Sequence, residues 1–338
     1  MALPRSARST AGAPAPTAVG PARRATALAA VLLCAALAAT ACSSSSGDGG
    51  SGAKGAGTHT VDTAMGPVAV PAHPRRVVVL DTAELDSAIT LGVTPVGATS
   101  AGTSTGFLDY LPAGEVAGIK NVGQIASPDL EAVAALHPDL ILSSKVRDGA
   151  HYDALKKIAP TVLTESTGAP WKANFQLHAA ALGRTAQAAA VVAAYRQHVA
   201  RVTAALGGAA KAAATKVSMV RFVEGADIRL YGDASYIGTV LKDVGLGRPA
   251  VQDVAELSVD VSPEQMDMAD GDALFYATYG DPKAAKETQV TAGALWKHLT
   301  AVGAGRAHRV DDQLWYQGIG YTAAGKVLDE LQQDLTGR

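Results

Sequence analysis

Short apolar runs recur along the chain beyond residue 58, and polar segments with helix signals separate them. The predicted strands cover residues 77–80, 95–98, 140–142, 161–163, 217–222, 228–231, 273–276 and 307–310, and the strands over 228–231 and 307–310 also contain charged or polar residues. Their length is typical of buried β-strands. Helices are expected at 82–91, 151–158, 236–244 and 321–335, and another after Ser127-Pro128-Asp129, with Ser127 as its cap. This alternation predicts an α/β fold with mostly parallel sheets covered on both faces.

The middle of the chain differs from the rest, because residues 174–206 are alanine-rich and helical, with a break at Gly183. Thr185 is the expected cap of the second piece, whose length is roughly 33 Å at about 1.5 Å per residue. The α/β pattern then restarts. The expected architecture is two Rossmann-like lobes joined by one long α-helix, with a ligand cleft between the lobes. The predicted boundaries are 59–172 for the N-terminal lobe, 173–208 for the linker helix and 209–338 for the C-terminal lobe.

The two halves also echo each other in sequence. Glu131 precedes Asp139 by the same spacing as Glu264 precedes Asp272, and an apolar strand follows each aspartate. Together with the long central helix, the echo favours two related lobes.

The N-terminal segment has the pattern of an export signal. Arg23-Arg24 precedes an uncharged apolar run over 25–41, and small residues lead up to Cys42. We predict a lipoprotein signal peptide over 1–41, lipidation of Cys42 and a Ser/Gly tether over 42–58, although Ala39 stands where leucine is usual. An uncleaved membrane anchor and a plain cleaved signal are the alternatives. All three place the rest of the chain outside the cytoplasm.

Composition narrows the function classes. Of the 338 residues, 48% are hydrophobic and 18% are charged. Four of the 29 basic residues precede Cys42, so the remainder carries 25 basic against 31 acidic residues. A chain this acidic is a poor candidate for nucleic-acid binding. Both cysteines, Cys34 and Cys42, lie in the N-terminal segment, which leaves none downstream for a disulfide or a cysteine metal cluster.

A set of short segments carries a family resemblance over nearly the whole mature chain. They are residues 74–80, 84–86, 91–93, 130–142, 158–162 and 181–184, and the closing set Arg309-Val310, Trp315, Gly318 and Leu328. In order and spacing they resemble the helical-linker class of ABC-transporter solute-binding proteins, in its ferric-siderophore and cobalamin group. Arg221 and the stretch 229–232 resemble the branch that takes hydroxamate-type siderophores.

The resemblance implies a function and partners. It implies a monomeric binding protein without catalysis or cofactor, which hands a ferric siderophore to a membrane permease served by a separate ATPase. It also implies a shallow cleft with little hinge motion. Glu131 and Glu264 match the glutamates that dock on the permease, one on each lobe.

A ferric siderophore brings its iron already wrapped in oxygens, so the protein needs no metal ligands of its own. It needs hydrogen-bond donors, which arginine supplies, and flat surfaces, which Tyr and Trp supply. Arg221 lies within an apolar strand and demands a partner, and Arg229 and Tyr231 share one strand face. The candidate ligand-binding residues are Lys145, Arg147, Trp171, Arg221, Arg229, Tyr231, Tyr236, Tyr279, Trp315 and Tyr316, with Trp315-Tyr316 expected in a loop.

Other functions stay open at this point. Gly102 to Gly106 matches the Gly-x-Ser-x-Gly elbow of serine hydrolases, with Ser104 as nucleophile. Haem would need an axial ligand such as Tyr231, Tyr236 or Tyr279. Bare Zn(II) or Mn(II) would need clustered histidines, whereas the eight histidines are scattered. Cobalamin and a tris-catecholate complex are further ligands, the latter calling for clustered cations.

Overall fold

The computed structural model describes residues 57–102 and 106–337. The predicted signal peptide, Cys42, nearly all of the tether and Ser104 lie outside these residues. Among the helices of the described ranges, none combines the length and apolar character needed to cross a membrane. Within the same ranges, no three His, Cys, Asp or Glu side chains come together as potential metal ligands.

An antiparallel hairpin precedes the N-terminal lobe, and the strands of this lobe form one six-stranded sheet. The hairpin comprises β1 (Thr58–Thr63) and β2 (Gly66–Pro71), and the sheet comprises β3 (Val77–Val79), β4 (Gly97–Ser100), β5 (Lys120–Gln124), β6 (Ser127–Pro128), β7 (Leu140–Ser144) and β8 (Thr161–Thr164). The strand order is β6-β5-β4-β3-β7-β8, and only the β5–β6 pair is antiparallel. Strands β3 and β7 are buried along their whole length, as expected for a sheet covered on both faces.

Helices cover this sheet and lead out of it. They are α1 (Thr82–Thr90), α2 (Ala113–Val116), α3 (Leu130–Ala135), α4 (Lys145–Asp148), α5 (Tyr152–Ile158) and α6 (Trp171–Ala181), with a 3₁₀ turn over Gly149–His151. The prediction that Ser127 caps a helix is wrong. Ser127 and Pro128 form β6, and the Asp129 side chain caps α3 by accepting the N–H groups of Glu131 and Ala132, both at 3.0 Å.

The predicted long helix is present as α7 (Thr185–Ala205), followed by α8 (Ala209–Ala214). Its 21 residues span about 32 Å. The predicted break at Gly183 is confirmed, since this glycine has a φ of +65° and ends the turn after α6. The expected cap is wrong, because Thr185 is already helical and Arg184 is the N-cap without a side-chain hydrogen bond.

The C-terminal lobe contains a five-stranded sheet in the order β11-β10-β9-β12-β13. Its elements are β9 (Val217–Val223), β10 (Ile228–Tyr231), α9 (Tyr236–Val244), β11 (Ser258–Val261), a 3₁₀ turn (Pro263–Ala269), β12 (Ala273–Tyr279), α10 (Glu287–Ala292), α11 (Ala294–His298), α12 (Thr300–Gly303), β13 (Ala307–Arg309), a π-helical turn (Gln313–Gln317) and α13 (Tyr321–Thr336). Strands β9, β12 and β13 are parallel, whereas β10 is antiparallel to both β9 and β11. A mostly parallel sheet is therefore confirmed in the N-terminal lobe, while this second sheet is mixed.

The core consists of three apolar clusters. One packs against the outer face of the first sheet and contains Val78 and Ile141, and another packs against the outer face of the second sheet and contains Phe222 and Leu274. The largest is shared by both lobes and by α6, α7 and α13. This shared cluster holds the two sheets in a fixed relation and sets the width of the space between them.

The sequence echo between the halves has a structural counterpart. Asp139 accepts the backbone N–H groups of Arg75 and Arg76, just before β3, at 2.8 and 2.9 Å. Asp272 accepts the N–H of Lys216, just before β9, at 2.7 Å. Each aspartate thus fixes the start of a central strand of its own lobe.

Candidate ligand-binding cleft

Two adjoining cavities of about 440 and 420 Å³ lie between the lobes. Residues that follow β3, β4, β7, β12 and β13 line them, so they lie at the carboxyl ends of the parallel strands. Ligand sites collect at this edge in open α/β sheets. The two cavities share four lining residues, which are Ala101, Gly102, Tyr279 and Gln317. We call the combined space the cleft.

Arg147 projects into the cleft from the N-terminal lobe. Its Nε donates to Oδ2 of Asp81 at 2.9 Å, and its side chain is 37% exposed. Asp81 is buried at the end of β3 and also caps α1 by accepting the N–H of Thr82. Burial, together with the nearby Glu84 carboxyl, raises the pKa of Asp81 in spite of its contact with Arg147. Within the described residues only Nε of Arg147 is engaged, so the terminal Nη groups can donate to a ligand.

Arg221 lies at the floor of the cleft and is almost fully engaged by the protein. Its Nε and Nη2 donate to the two carboxylate oxygens of Asp312, both at 2.6 Å, and Nη1 donates to the Tyr231 hydroxyl at 3.3 Å. The predicted need for a partner is therefore confirmed. Burial lowers the pKa of Arg221, but the bonds to Asp312 and Tyr231 outweigh it and raise the pKa overall.

Two tyrosine rings cover the Arg221 guanidinium. Its Cζ lies 5.0 Å from the ring centre of Tyr279 and 5.3 Å from that of Tyr316. Tyr316 is buried and donates its hydroxyl to the Val220 carbonyl at 3.0 Å, whereas Tyr279 is only half-buried. The expected loop around Tyr316 is instead a buried π-helical turn. The result is a rigid aromatic floor built on Arg221.

Tyr279 also reaches across the cleft to the opposite lobe. A Cβ added to Gly102, which follows β4, would lie 3.1 Å from the Tyr279 hydroxyl. Gly102 has a φ of +63°. A glycine is therefore favoured here both by its backbone conformation and by the close approach of the tyrosine.

Three of the predicted ligand contacts are core residues and do not line either cavity. Trp171 packs edge-on against Tyr236, and its Nε1 donates to Oγ1 of Thr239 at 2.8 Å. The Tyr236 hydroxyl donates to the Gly320 carbonyl, and Trp315 stacks on Phe275 with 4.9 Å between ring centres. Because their rings are buried and their polar atoms are satisfied internally, we leave Trp171, Tyr236 and Trp315 out of the proposed site.

The remaining candidates lie around the cleft rather than in it. Tyr231 is buried beneath Arg221. Arg229 pairs in register with Arg221, but its Nε lies 3.8 Å from a carboxylate oxygen of Asp260 at the sheet edge. Lys145 is exposed and donates to Glu165 at 2.8 Å. The structure thus brings Arg147, Arg221, Tyr279 and Tyr316 together out of the ten predicted positions.

Several cleft residues escaped prediction. Asp81 and Asp312 hold the arginines, Gln124 and Gln317 line the cleft, and Arg309 pairs with Glu287 at 3.0 Å. One signal could have found the aspartates, since each directly follows or closely follows a predicted strand end. The helix predicted over 82–91 begins directly after Asp81, which caps α1 and also holds Arg147.

The two candidate docking glutamates are exposed on different lobes. Glu131 occupies the first turn of α3, and Glu264 occupies the first turn of the Pro263–Ala269 helix, where Ser262 and Gln265 form a capping box. The pKa of Glu264 is lowered, chiefly by its hydrogen bond with Ser262. Both carboxylates are therefore available as surface charges.

We compared the sequence and the structure with those of known proteins. The periplasmic binding protein family matches residues 77–314. The chain is 38% identical over 288 residues to the probable siderophore-binding lipoprotein YfiY of Bacillus subtilis, covering 81% of this chain and 87% of that protein. It is 31% identical to the iron(3+)-hydroxamate-binding protein FhuD of the same organism, covering 83% and 87%.

Among solved structures, Staphylococcus aureus SirA in complex with staphyloferrin B superposes with a TM-score of 0.74 at 31% identity, covering 82% of this chain and 98% of SirA. The fold, the lobes and the linking helix agree with this similarity. The chain belongs to the periplasmic binding protein family.

Proposed function

We propose that this protein captures a ferric siderophore, of the hydroxamate type, outside the cytoplasm and delivers it to an ABC import permease. The observation that carries the proposal is the cleft itself. It places the free donors of Arg147 opposite the aromatic floor of Arg221, Tyr279 and Tyr316. The relatives named for siderophore and hydroxamate binding support the same assignment.

The cleft chemistry suits a preformed ferric complex. The iron arrives with its own oxygen ligands, and the protein supplies hydrogen bonds to those oxygens and flat surfaces to the organic part. Arg147 offers a planar set of donors, and Tyr279 offers a half-buried ring. The cleft can therefore hold the complex without exchanging any iron ligand.

Haem receives less support from the same geometry. Of the three tyrosines considered as axial ligands, Tyr231 is held by Arg221 and Tyr236 by the Gly320 carbonyl, and both are buried. Only Tyr279 faces the cleft. Ser104, the nucleophile of the hydrolase alternative, lies outside the described residues, and we propose no catalysis.

The remaining parts of the proposal concern location and delivery. Cys42 anchors the chain by lipid to the outer face of the membrane, and the protein acts as a monomer. Glu131 and Glu264 then dock on the permease, whose ATPase subunit is a separate protein. Their exposure on different lobes suits simultaneous contact with a two-sided permease.

The capture step is tested by titrating the purified full-length protein with ferrioxamine B and following tryptophan fluorescence. We expect saturable quenching, and we expect Tyr279→Ala to weaken binding by about tenfold, since an aromatic contact contributes about 1 kcal/mol beyond its area. Tyr152→Ala is the control, because Tyr152 lies on α5 outside the cleft. Absence of binding to any ferric siderophore, with haem or cobalamin bound instead, would contradict the proposal.

The delivery step is tested with the double variant Glu131→Ala/Glu264→Ala. We expect unchanged affinity for ferrioxamine B and a loss of most cellular uptake, because the variant removes both docking charges and leaves the cleft intact. Glu115→Ala/Glu256→Ala removes one exposed glutamate from each lobe and serves as the matched control. Full uptake by the first double variant would rule out the docking role.

A further inference from the structure

The cleft contains as many carboxylates as arginines. Its charged lining consists of Arg147, Arg221 and Arg309 against Asp81, Asp311 and Asp312. We propose that Asp81 and Asp312 determine the charge selectivity of the cleft, so that it accepts uncharged or cationic ferric complexes and disfavours trianionic ones. This inference rests on the proposed capture of a ferric siderophore and names the residues that select within that class.

Asp81 compensates the charge of Arg147 before any ligand arrives. The carboxylate is buried, caps α1 and lies 2.9 Å from the guanidinium. Because the cap fixes its position, it cannot turn away when an anion approaches. A negatively charged complex near Arg147 therefore meets attraction and repulsion of similar size.

Asp312 compensates the charge of Arg221 in the same way, and both residues belong to the C-terminal lobe. It accepts two hydrogen bonds from the guanidinium at 2.6 Å and a third from Nε2 of Gln317 at 2.7 Å. Three donors hold this carboxylate against the cleft floor. Asp312 thus neutralises the positive charge of Arg221, whose remaining role is to support the tyrosine rings.

The third arginine is balanced as well. Arg309 donates to Oε1 of Glu287 at 3.0 Å. Asp311, which lines the same cavity, accepts the N–H of Leu314 at 2.9 Å and adds a further carboxylate. No excess of positive charge remains among the described residues of the cleft.

Ligand chemistry turns this balance into selectivity. Three hydroxamates bound to Fe(III) give an uncharged iron centre, whereas three catecholates give a trianionic one. An uncharged centre can accept hydrogen bonds from the Nη groups of Arg147 without approaching Asp81 as a like charge. A trianion would have to sit beside Asp81 and Asp312 without a free cation to offset them.

The experiment compares ferrichrome, which is uncharged, ferrioxamine B, which is cationic, and ferric enterobactin, which is trianionic, on the full-length protein. We expect wild type to bind the first two at least about 100-fold more tightly than the third. Asp81→Asn and Asp312→Asn should each reduce that preference by about tenfold, which corresponds to about 1.4 kcal/mol. Asparagine keeps the cap on α1 in the first variant. Asp153→Asn, on the outer surface of α5, is the control and should leave the preference unchanged.

A salt titration of wild type provides a test that does not depend on variant folding. Under the proposal, binding of neither ferrioxamine B nor ferric enterobactin should weaken as sodium chloride is raised. If the cleft were instead an exposed cationic site, screening by salt would weaken the binding of ferric enterobactin steeply. Equal affinity for the trianion, together with unchanged preference in both asparagine variants, would overturn the inference and leave siderophore capture intact. Failure to bind all three complexes would instead remove the proposed function itself.

Discussion

At the scale of single residues, Arg147 and Arg221 look alike in sequence and differ in use. Both follow or occupy an apolar strand, and both have a buried aspartate partner. Arg147 is engaged through one nitrogen and remains 37% exposed, whereas Arg221 is engaged through three nitrogens and is 12% exposed. The first is suited to contact a ligand and the second to hold the surface that the ligand contacts.

This difference predicts different costs of truncation. Arg221→Ala should lower the free energy of unfolding by about 3 kcal/mol, because it leaves the buried Asp312 without its cation. Arg147→Ala also leaves a buried aspartate, but it should lower the free energy of unfolding by only about 1 kcal/mol, because Arg147 donates one hydrogen bond where Arg221 donates three, and solvent screens a guanidinium that is over a third exposed. Asp81 also keeps the N–H of Thr82 as a donor. Urea denaturation of both variants measures the difference, and equal losses would contradict the distinction.

The sequence supported the prediction of Arg221 better than that of the aromatic residues. A charged residue inside an apolar strand is unfavourable without a counter-charge, so the need of Arg221 for a buried partner could be inferred from the sequence. Trp171 and Trp315 carry no comparable signal, because a tryptophan near a helix start or a turn fits a core as well as a site. Whether such a ring faces the cleft depends on how α6, α7 and α13 pack together. A local sequence pattern does not predict this packing.

At the scale of elements, strands with uniform apolar runs were predictable almost residue by residue. The expected strand over 77–80 corresponds to β3 at Val77–Val79, and the expected helix over 236–244 matches α9. Burial on both faces gives such strands a clear signal. The hairpin β1–β2 and the strands β5 and β11 are partly exposed, and the sequence pattern did not predict them.

Strand direction was less predictable than strand position. The segment between β9 and β10 is short, which permits the antiparallel turn that the structure contains, whereas a parallel crossover needs a dozen or more residues. Chain spacing alone could therefore have corrected the expectation of a parallel second sheet. The π-helical turn at Gln313–Gln317 had no such signal, because its backbone follows from burial of Tyr316 against β9.

At the scale of the whole molecule, a single buried carboxylate joins the two lobes. Asp86 on α1 accepts the N–H groups of Thr322 and Ala323 at the start of α13, at 3.2 and 3.1 Å. The N-cap of α13 is Gly320, which has no side chain, so a residue of the other lobe supplies the missing cap. A side chain at position 320 would collide with Asp86, which explains the glycine. This joint adds to the shared apolar cluster in holding α1 against α13.

The same joint predicts a pH dependence of stability. Burial raises the pKa of Asp86 above its ordinary value of 3.8, in spite of the backbone donors and the Tyr110 and Thr90 hydroxyls. Folding therefore favours the neutral form of this acid. Its contribution to stability is fully present below the unfolded pKa and is lost as pH rises through the folded pKa.

Asp86→Asn removes this titration and nearly preserves the shape of the side chain. The free energy of unfolding of wild type minus that of the variant should thus be largest near pH 4 and should fall as pH rises, before it levels off above the folded pKa of Asp86. Urea denaturation of both proteins between about pH 4 and about pH 8 measures it, and all other titrating groups cancel in the difference. A difference that grows with pH would mean that the α13 N-terminus stabilises the ionised carboxylate more than burial penalises it. In that case the lobes would be joined by a charged cap, and the joint would weaken in acid instead of in base.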